Sequence, residues 1–204
     1  AENRIRRFWS KNKKSKIRPQ LLKKLYNYLP QFNNPRYFEL IKDFYYKNLN
    51  ETDNIFYSHL VRWDQFHSIK HFFNKDMCLN HYEITLKKLS QIYKNKLKNI
   101  SNDRITQIIE IDTLLSNYLL SSQGDRMSMA HGVEGRYPYL DDNLSITLSK
   151  ILSKNKLKNL KLKNLLRESF KEYIPEDILN RPKIAYQAPE ALAFFTNNKR
   201  HNLV

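Results

Sequence analysis

Residues 124–135 read GDRMSMAHGVEG and hold all three glycines of a 204-residue chain. Glycine tolerates positive φ and close approach of other atoms, at a cost in chain entropy. Its confinement to one stretch marks one place where the backbone turns tightly or meets another segment or a ligand. Two readings are open from the residues. One is a helix C-cap followed by a turn. The other is a turn set beside chemistry, because Asp125, Arg126, Glu134, Arg136 and Asp141 crowd the same stretch.

Outward from this point the chain reads as mainly α. Upstream, RITQIIEIDTLLSNYLLSSQ (104–123) places Ile105, Ile108, Ile109, Asp112, Leu115 and Leu119 near one helix face. Asp112 in that stripe must find a hydrogen-bond donor or stay near water. Downstream, Pro138 disfavours helix at Tyr137. NLSITLSKIL (143–152) resumes a helix, KLKNLLRESFKEYI (161–174) makes another, and PEDILNR (175–181) a short one with Glu176 and Asp177 where the helix dipole favours them. RPKIAYQAP (181–189) is a loop bracketed by Pro182 and Pro189.

Nearer the start, RPQLLKKLYNYL (18–29), RYFELIKDFYYKNL (36–49) and NIFYSHLVRWDQFHSIKHFF (54–73) show helical periodicity. Phe56, Leu60, Trp63 and Phe66 or His67 share a face that reads as core. Residues 1–20, with Lys11, Lys13, Lys14 and Lys16 around Trp9, read as a solvated helix end or loop. No internal repeat is visible, and no alternation is long enough for a major sheet.

The composition, 41% hydrophobic and 13% aromatic, supports a packed core. A net charge of +16 suggests an anionic partner, but Lys and Asn crowd together along the whole chain, as base-composition bias would also produce. That even spread predicts weak, purely electrostatic DNA binding and no specific nucleic-acid partner. The single cysteine, Cys78, excludes an internal disulfide and a cysteine-rich zinc site, and it reads as an inert core thiol. His67 and His71 could share a helix face, but without a third ligand they read as structural. No apolar run approaches the ~20 residues that span a bilayer, and no signal peptide opens the chain. A cytoplasmic location is expected.

DRMSMAHGVEGRYPYLD (125–141), KNLLRESF (163–170) and PEDILNRPK (175–183) stand in this order. Together they resemble the C-terminal half of the synthetase domain in glutamine-hydrolysing asparagine synthetases. The resemblance covers about residues 105–195. Residues 1–104 resemble only a generic helical insert, so 105–204 is expected to be the C-terminal synthetase subregion. The fold implied is the helical C-terminal part of an α/β adenine-nucleotide α-hydrolase-like (PP-loop ATPase) domain.

The resemblance implies two half-reactions. Aspartate attacks the α-phosphate of ATP at a Mg²⁺-bearing site to give β-aspartyl-AMP and pyrophosphate, and ammonia released from glutamine then displaces AMP. Glu134 stands at the family's glutamate that handles the proton of the attacking ammonia and holds the intermediate. Lys183 matches the lysine that neutralises charge on the departing pyrophosphate. Lys163 matches a second basic residue near the phosphates, and Asp125 and Arg126 match the block that positions this site. A buried ion-pair lattice supporting the turn is the structural alternative for Asp125, Arg126, Arg136 and Asp141.

The chain lacks the family's catalytic N-terminal cysteine, its SGGxDS-type phosphate loop and its GADE-type metal site. The glutaminase and PP-loop segments, with the Mg²⁺ ligands, are expected before residue 1. The 204 residues are expected to be a fragment that alone neither hydrolyses glutamine nor makes AMP. β-Lactam synthetases and peptide cyclases share the Glu/Lys pair, so the acceptor stays open. The competing class is a basic helical module that binds nucleic acid or protein without catalysis.

Overall fold

The computed structural model describes residues 1–73, 81–181, 195–196 and 199–200, the last four by backbone alone. Cys78 lies outside the described residues. The chain divides into two compact units, 1–169 and 170–204.

The first unit is helical. It runs through α1 (Glu2–Ser10), α2 (Leu21–Leu25), α3 (Pro35–Tyr46), α4 (Tyr57–His67), α5 (His81–Lys96) and α6 (Asn102–Glu110). A π-helical segment, Ile111–Asp125, continues α6 directly into α7 (Arg126–Ala130). Then come α8 (Asp142–Lys150), α9 (Ser153–Lys156) and α10 (Asn164–Phe170), whose last residue opens the second unit. The second unit contains α11 (Glu176–Asn180) and a two-stranded antiparallel ribbon, β1 (Phe195–Thr196) with β2 (Lys199–Arg200), in the register Phe195↔Arg200. No described helix is long and apolar enough to cross a membrane.

The helix starts follow local chemistry. Asn34 caps α3, its Oδ1 accepting from the backbone N–H of Arg36 (2.9 Å) and Tyr37 (3.2 Å), and Pro35 occupies the first helical position. Asp141 caps α8 in the same way, accepting from Leu144 N at 2.9 Å.

Two apolar clusters hold the first unit together. Ile5, Leu22, Leu25, Phe32 and Phe38 form one, joined at its edge by Leu160 and Leu162 from far along the chain. Phe56, Leu60, Tyr93, Leu97 and Ile109 form the other, with Trp63, Ile105 and Ile108 packed against it. The second cluster joins α4 and α5 to the helix that leads into the glycine stretch, so packing crosses position 104.

The opening helix differs from its reading as solvated. Ile5, Arg6 and Trp9 of α1 are buried. The Arg6 guanidinium donates to the main-chain carbonyls of Tyr45 (3.0 Å), Tyr57 (2.8 Å) and Lys47 (2.6 Å) and lies 4.3 Å above the Tyr57 ring. It thereby ties the end of α3 to the start of α4. The basic character that suggests a wet helix conceals an arginine used as an internal main-chain clamp.

The stripe drawn from Ile105 to Leu119 holds only as far as Ile109, which is fully buried. Beyond Glu110 the winding changes to i→i+5 bonding. Three side-chain bonds share that spacing: Asn117 to Asp112 O, Ser122 to Asn117 O, and Gln123 to Tyr118 Oη. A wider turn rotates each later residue off the face that 3.6 residues per turn would give it, and no residue of the π segment is buried. Asp112 finds its donor in Tyr93, whose hydroxyl reaches Oδ2 at 2.9 Å.

The start of the π segment is clamped. Nε2 of buried His59 lies 2.6 Å from Glu110 Oε2, and Arg62 donates to the same oxygen at 2.9 Å. Burial opposes ionisation of Glu110, but Arg62 and His59 together hold its carboxyl below the usual value. Burial lowers the His59 pKa, against the pull of Glu110.

Candidate functional site

The glycine stretch begins where the π segment hands over to α7. α7 ends in a Schellman motif: Val133 N bonds Ser128 O at 2.9 Å and Gly132 N bonds Met129 O at 3.2 Å. Gly132 takes φ +67°, a left-handed conformation that costs other residues a Cβ clash. The chain then runs without regular secondary structure through 133–137 before the single turn Pro138–Leu140 and helix α8.

The other two glycines make room for one side chain. The Tyr137 ring folds back on its own turn, and its hydroxyl donates to Asp125 Oδ1 at 3.0 Å. A Cβ on Gly124 would meet that hydroxyl at 3.1 Å, and a Cβ on Gly135 would stand 2.5 Å from it and 2.8 Å from the ring carbon Cζ. The hydrogen bond to Asp125 raises the Tyr137 phenol above its usual value, because a carboxylate acceptor favours the neutral phenol. Gly135→Ala is therefore expected to evict the ring and break the bond. NMR titration of the Tyr137 ring checks this: its pKa should fall back toward the ordinary value in Gly135→Ala and equally in Asp125→Asn. An unchanged titration in both would show that the seat does not exist.

Glu134 projects from this irregular run. Its Oε2 accepts from Arg136 at 2.7 Å, and the two side chains remain 75% and 84% exposed. Asp125, Arg126, Arg136 and Asp141 are exposed as well, so they do not form the buried ion-pair lattice. Instead Asp125 serves Tyr137, Asp141 caps α8, Arg136 holds Glu134, and the Arg126 guanidinium has no polar partner among the described residues.

Lys163 sits just before α10 with φ 55°, close behind two other left-handed residues, Asn159 and Leu160. Its carbonyl accepts from Arg167 N at 3.0 Å, which closes the first turn of α10. A lysine held in this region costs about 1–2 kcal/mol of backbone strain, and such strain gathers at functional sites. Among the described residues no contact links the Lys163 side chain to Glu134 or Asp125. Lys183 lies outside the described residues.

Among the described residues no cluster of three or more His, Cys, Asp or Glu side chains could hold a metal ion. The unpaired cation of Arg126 and the strained Lys163 suit phosphate oxygens; the carboxylates suit a cation or an amine, one at a time.

Tyr137 is the residue of this stretch that sequence reasoning passes over. The signal was present: two glycines flank it in space because they flank an aromatic that must fold back. A second signal corrects the even spread of lysine read along the whole chain. Between Lys98 and Lys150 there is none, although lysine recurs through the rest of the chain. In the same span Met127, Met129, Val133, Tyr137, Tyr139 and Ile146 are exposed. Exposed apolar side chains in a stretch without lysine have the composition of a contact segment, not of a solvated one.

Comparison with known proteins matches residues 2–203 to the family model for asparagine synthase. An asparagine synthetase [glutamine-hydrolyzing] 1 from Bacillus subtilis is 31% identical over 117 residues, which cover 56% of this chain and 18% of that protein. Amidase chry2 from Gibberella zeae is 28% identical over 105 residues, 48% of this chain and 16% of the relative. Amidase chyE from Penicillium rubens is 32% identical over 89 residues, 41% of this chain and 13% of the relative. The matched part thus spans less than a fifth of each relative's length. No solved structure matches. With the family model covering nearly every residue, the chain belongs to the asparagine synthase family.

Proposed function

We propose that this chain supplies the C-terminal part of an ATP-dependent amide-forming synthetase, a glutamine-hydrolysing asparagine synthetase that amidates aspartate through β-aspartyl-AMP. The observation that carries this reading is the turn at 124–137. It is held by a Schellman cap and by the bond of Tyr137 to Asp125, and it leaves Glu134 and Arg126 exposed in a stretch of sequence free of lysine. A carboxylate held on a fixed turn can accept a proton from an attacking amine within hydrogen-bond reach. Arg136 orients that carboxylate from one side.

Asp125 fixes the turn through Tyr137, and Arg126 and Lys163 provide cations for the phosphates of ATP. Lys183 is assigned to the departing pyrophosphate, where one aimed cation contributes ~10²–10³-fold. Mg²⁺, when bound, neutralises phosphate charge; its ligands belong to segments other than the residues described.

The acceptor is the open choice within this class, since the Bacillus relative is named an asparagine synthetase and the two fungal relatives amidases. The test is an assay of the whole protein that carries this chain, with ATP, Mg²⁺, glutamine and a panel of carboxylic acids. AMP and asparagine formed only when aspartate is present are expected. AMP formed with another acid and not with aspartate would replace the acceptor. No AMP with any acid would remove the ligase reading in favour of a binding module.

A further inference from the structure

A cleft of about 290 Å³ opens in the first unit between the end of α1, the turn that follows it and α3. Its rim carries Lys13, Lys14, Lys16 and Lys42, and its floor is formed by Trp9, Pro19 and Tyr46. We propose that this cleft binds a short phosphate chain, of the size of pyrophosphate or tripolyphosphate, through Lys13, Lys14 and Lys16.

The turn that bears these lysines is a fixed one. Asn12 N bonds Trp9 O at 2.9 Å, Ser15 N bonds Asn12 O at 3.2 Å, and Arg18 N bonds Ser15 Oγ at 3.1 Å. Trp9, itself buried, donates its indole N–H to Lys13 O at 3.2 Å, and Arg18 closes the far end by donating to Phe8 O while stacking on the Phe8 ring at 4.2 Å. The backbone that carries the three lysines is thus ordered, so an arriving anion has only their side chains to arrange.

Carboxylates do not already occupy them. The rim includes one acid, Asp43, and Lys42 is taken by Glu39 at 2.6 Å. Lys13, Lys14 and Lys16 have no ion-pair partner among the described residues. Three unpaired cations against one carboxylate leave a surplus of positive charge in a recess. Its walls include apolar rings, which raise the local field above that of an open lysine surface. The volume admits a few phosphate groups. Phosphate could also arrive on a single-stranded nucleic-acid backbone, which offers the same oxygens at wider spacing.

The test uses the 204-residue chain, with Trp9 fluorescence and calorimetry reading titrations of pyrophosphate and tripolyphosphate at about 150 mM salt, where exposed charges are screened. Saturable one-to-one binding is expected. Lys13→Gln/Lys14→Gln/Lys16→Gln should weaken it by about tenfold or more. Lys87→Gln/Lys88→Gln/Lys94→Gln, which removes equal charge from α5, should change it by less than about twofold. Trp9→Phe keeps an aromatic floor but loses the bond to Lys13 O, and it should weaken binding without unfolding the chain, as far-UV circular dichroism would show.

A competing single-stranded oligonucleotide separates the two sources. Displacement by pyrophosphate supports a free phosphate chain. An oligonucleotide that needs the same three lysines and resists displacement would overturn the small-ligand assignment. Equal losses in the two triple variants, or no saturable binding by the wild type, would show that only diffuse charge is present and overturn the site itself.

Discussion

In the full-length enzyme, Glu134→Ala is expected to abolish amide formation while leaving glutamine hydrolysis intact. The carboxylate is assigned to the proton of the attacking amine, and a positioned acid–base group contributes ~10²–10⁴-fold. The fold should not notice the change. Glu134 is 75% exposed and its polar partner is Arg136, itself on the surface, and a pair of this kind stabilises by ~0–1 kcal/mol. Thermal unfolding of the variant should therefore overlay the wild type, which separates loss of chemistry from loss of structure. Glu134→Gln keeps the shape and the hydrogen bonding but not the basicity, and should be nearly as inactive. Amide formation above a tenth of wild type in Glu134→Ala would remove Glu134 from the site.

Arg6→Ala is expected to destabilise the first unit by about 2 kcal/mol or more, since a buried acceptor left without its donor costs ~1–3 kcal/mol and, of the three carbonyl bonds lost, that to Tyr57 is buried and the other two partly so. Arg6 is 1% exposed and serves three carbonyls, those of Tyr45, Lys47 and Tyr57. Burial lowers its pKa from the usual arginine value, and the nearby Tyr57 and Tyr45 work in the opposite direction. Arg6→Lys should recover less than half of the loss, because a point-like ammonium cannot span three carbonyls as a planar fork does. Urea unfolding followed by the fluorescence of Trp9 and Trp63, both in this unit, reads the effect. A change within about 0.5 kcal/mol, typical of an exposed site, would mean that the clamp is not structural.

How much of this was legible depended on the kind of interaction. α3 and α8 could be read because their apolar spacing lies within a dozen residues; their caps, Asn34 and Asp141, came only with the structure. The C-cap at Gly132 could be read for the same reason, and so could the concentration of charge at Asp125, Arg126 and Glu134. α1 could not. Nothing near Arg6 says that carbonyls some 40 and 50 residues away will close over it. The continuation of the Ile105–Leu119 stripe also failed, because periodicity presumes one winding. The clamp of His59 and Arg62 on Glu110 marks where that winding changes, and it is built from a helix 50 residues earlier.

By itself the sequence determined the class of the molecule: mainly helical, with a single glycine turn carrying the charged residues and ordered motif blocks that place it in the asparagine synthase family. Those properties are local, set by backbone conformational preference and by residue type at short spacing. The tertiary structure decided what each charge is for. Arg6 became an internal clamp, Asp125 an anchor for Tyr137, Asp141 a helix cap and Glu134 an exposed carboxylate held by Arg136. A charge has no role until its partner is known. The deciding partners of Arg6 come from other elements of the chain, at separations no local pattern encodes.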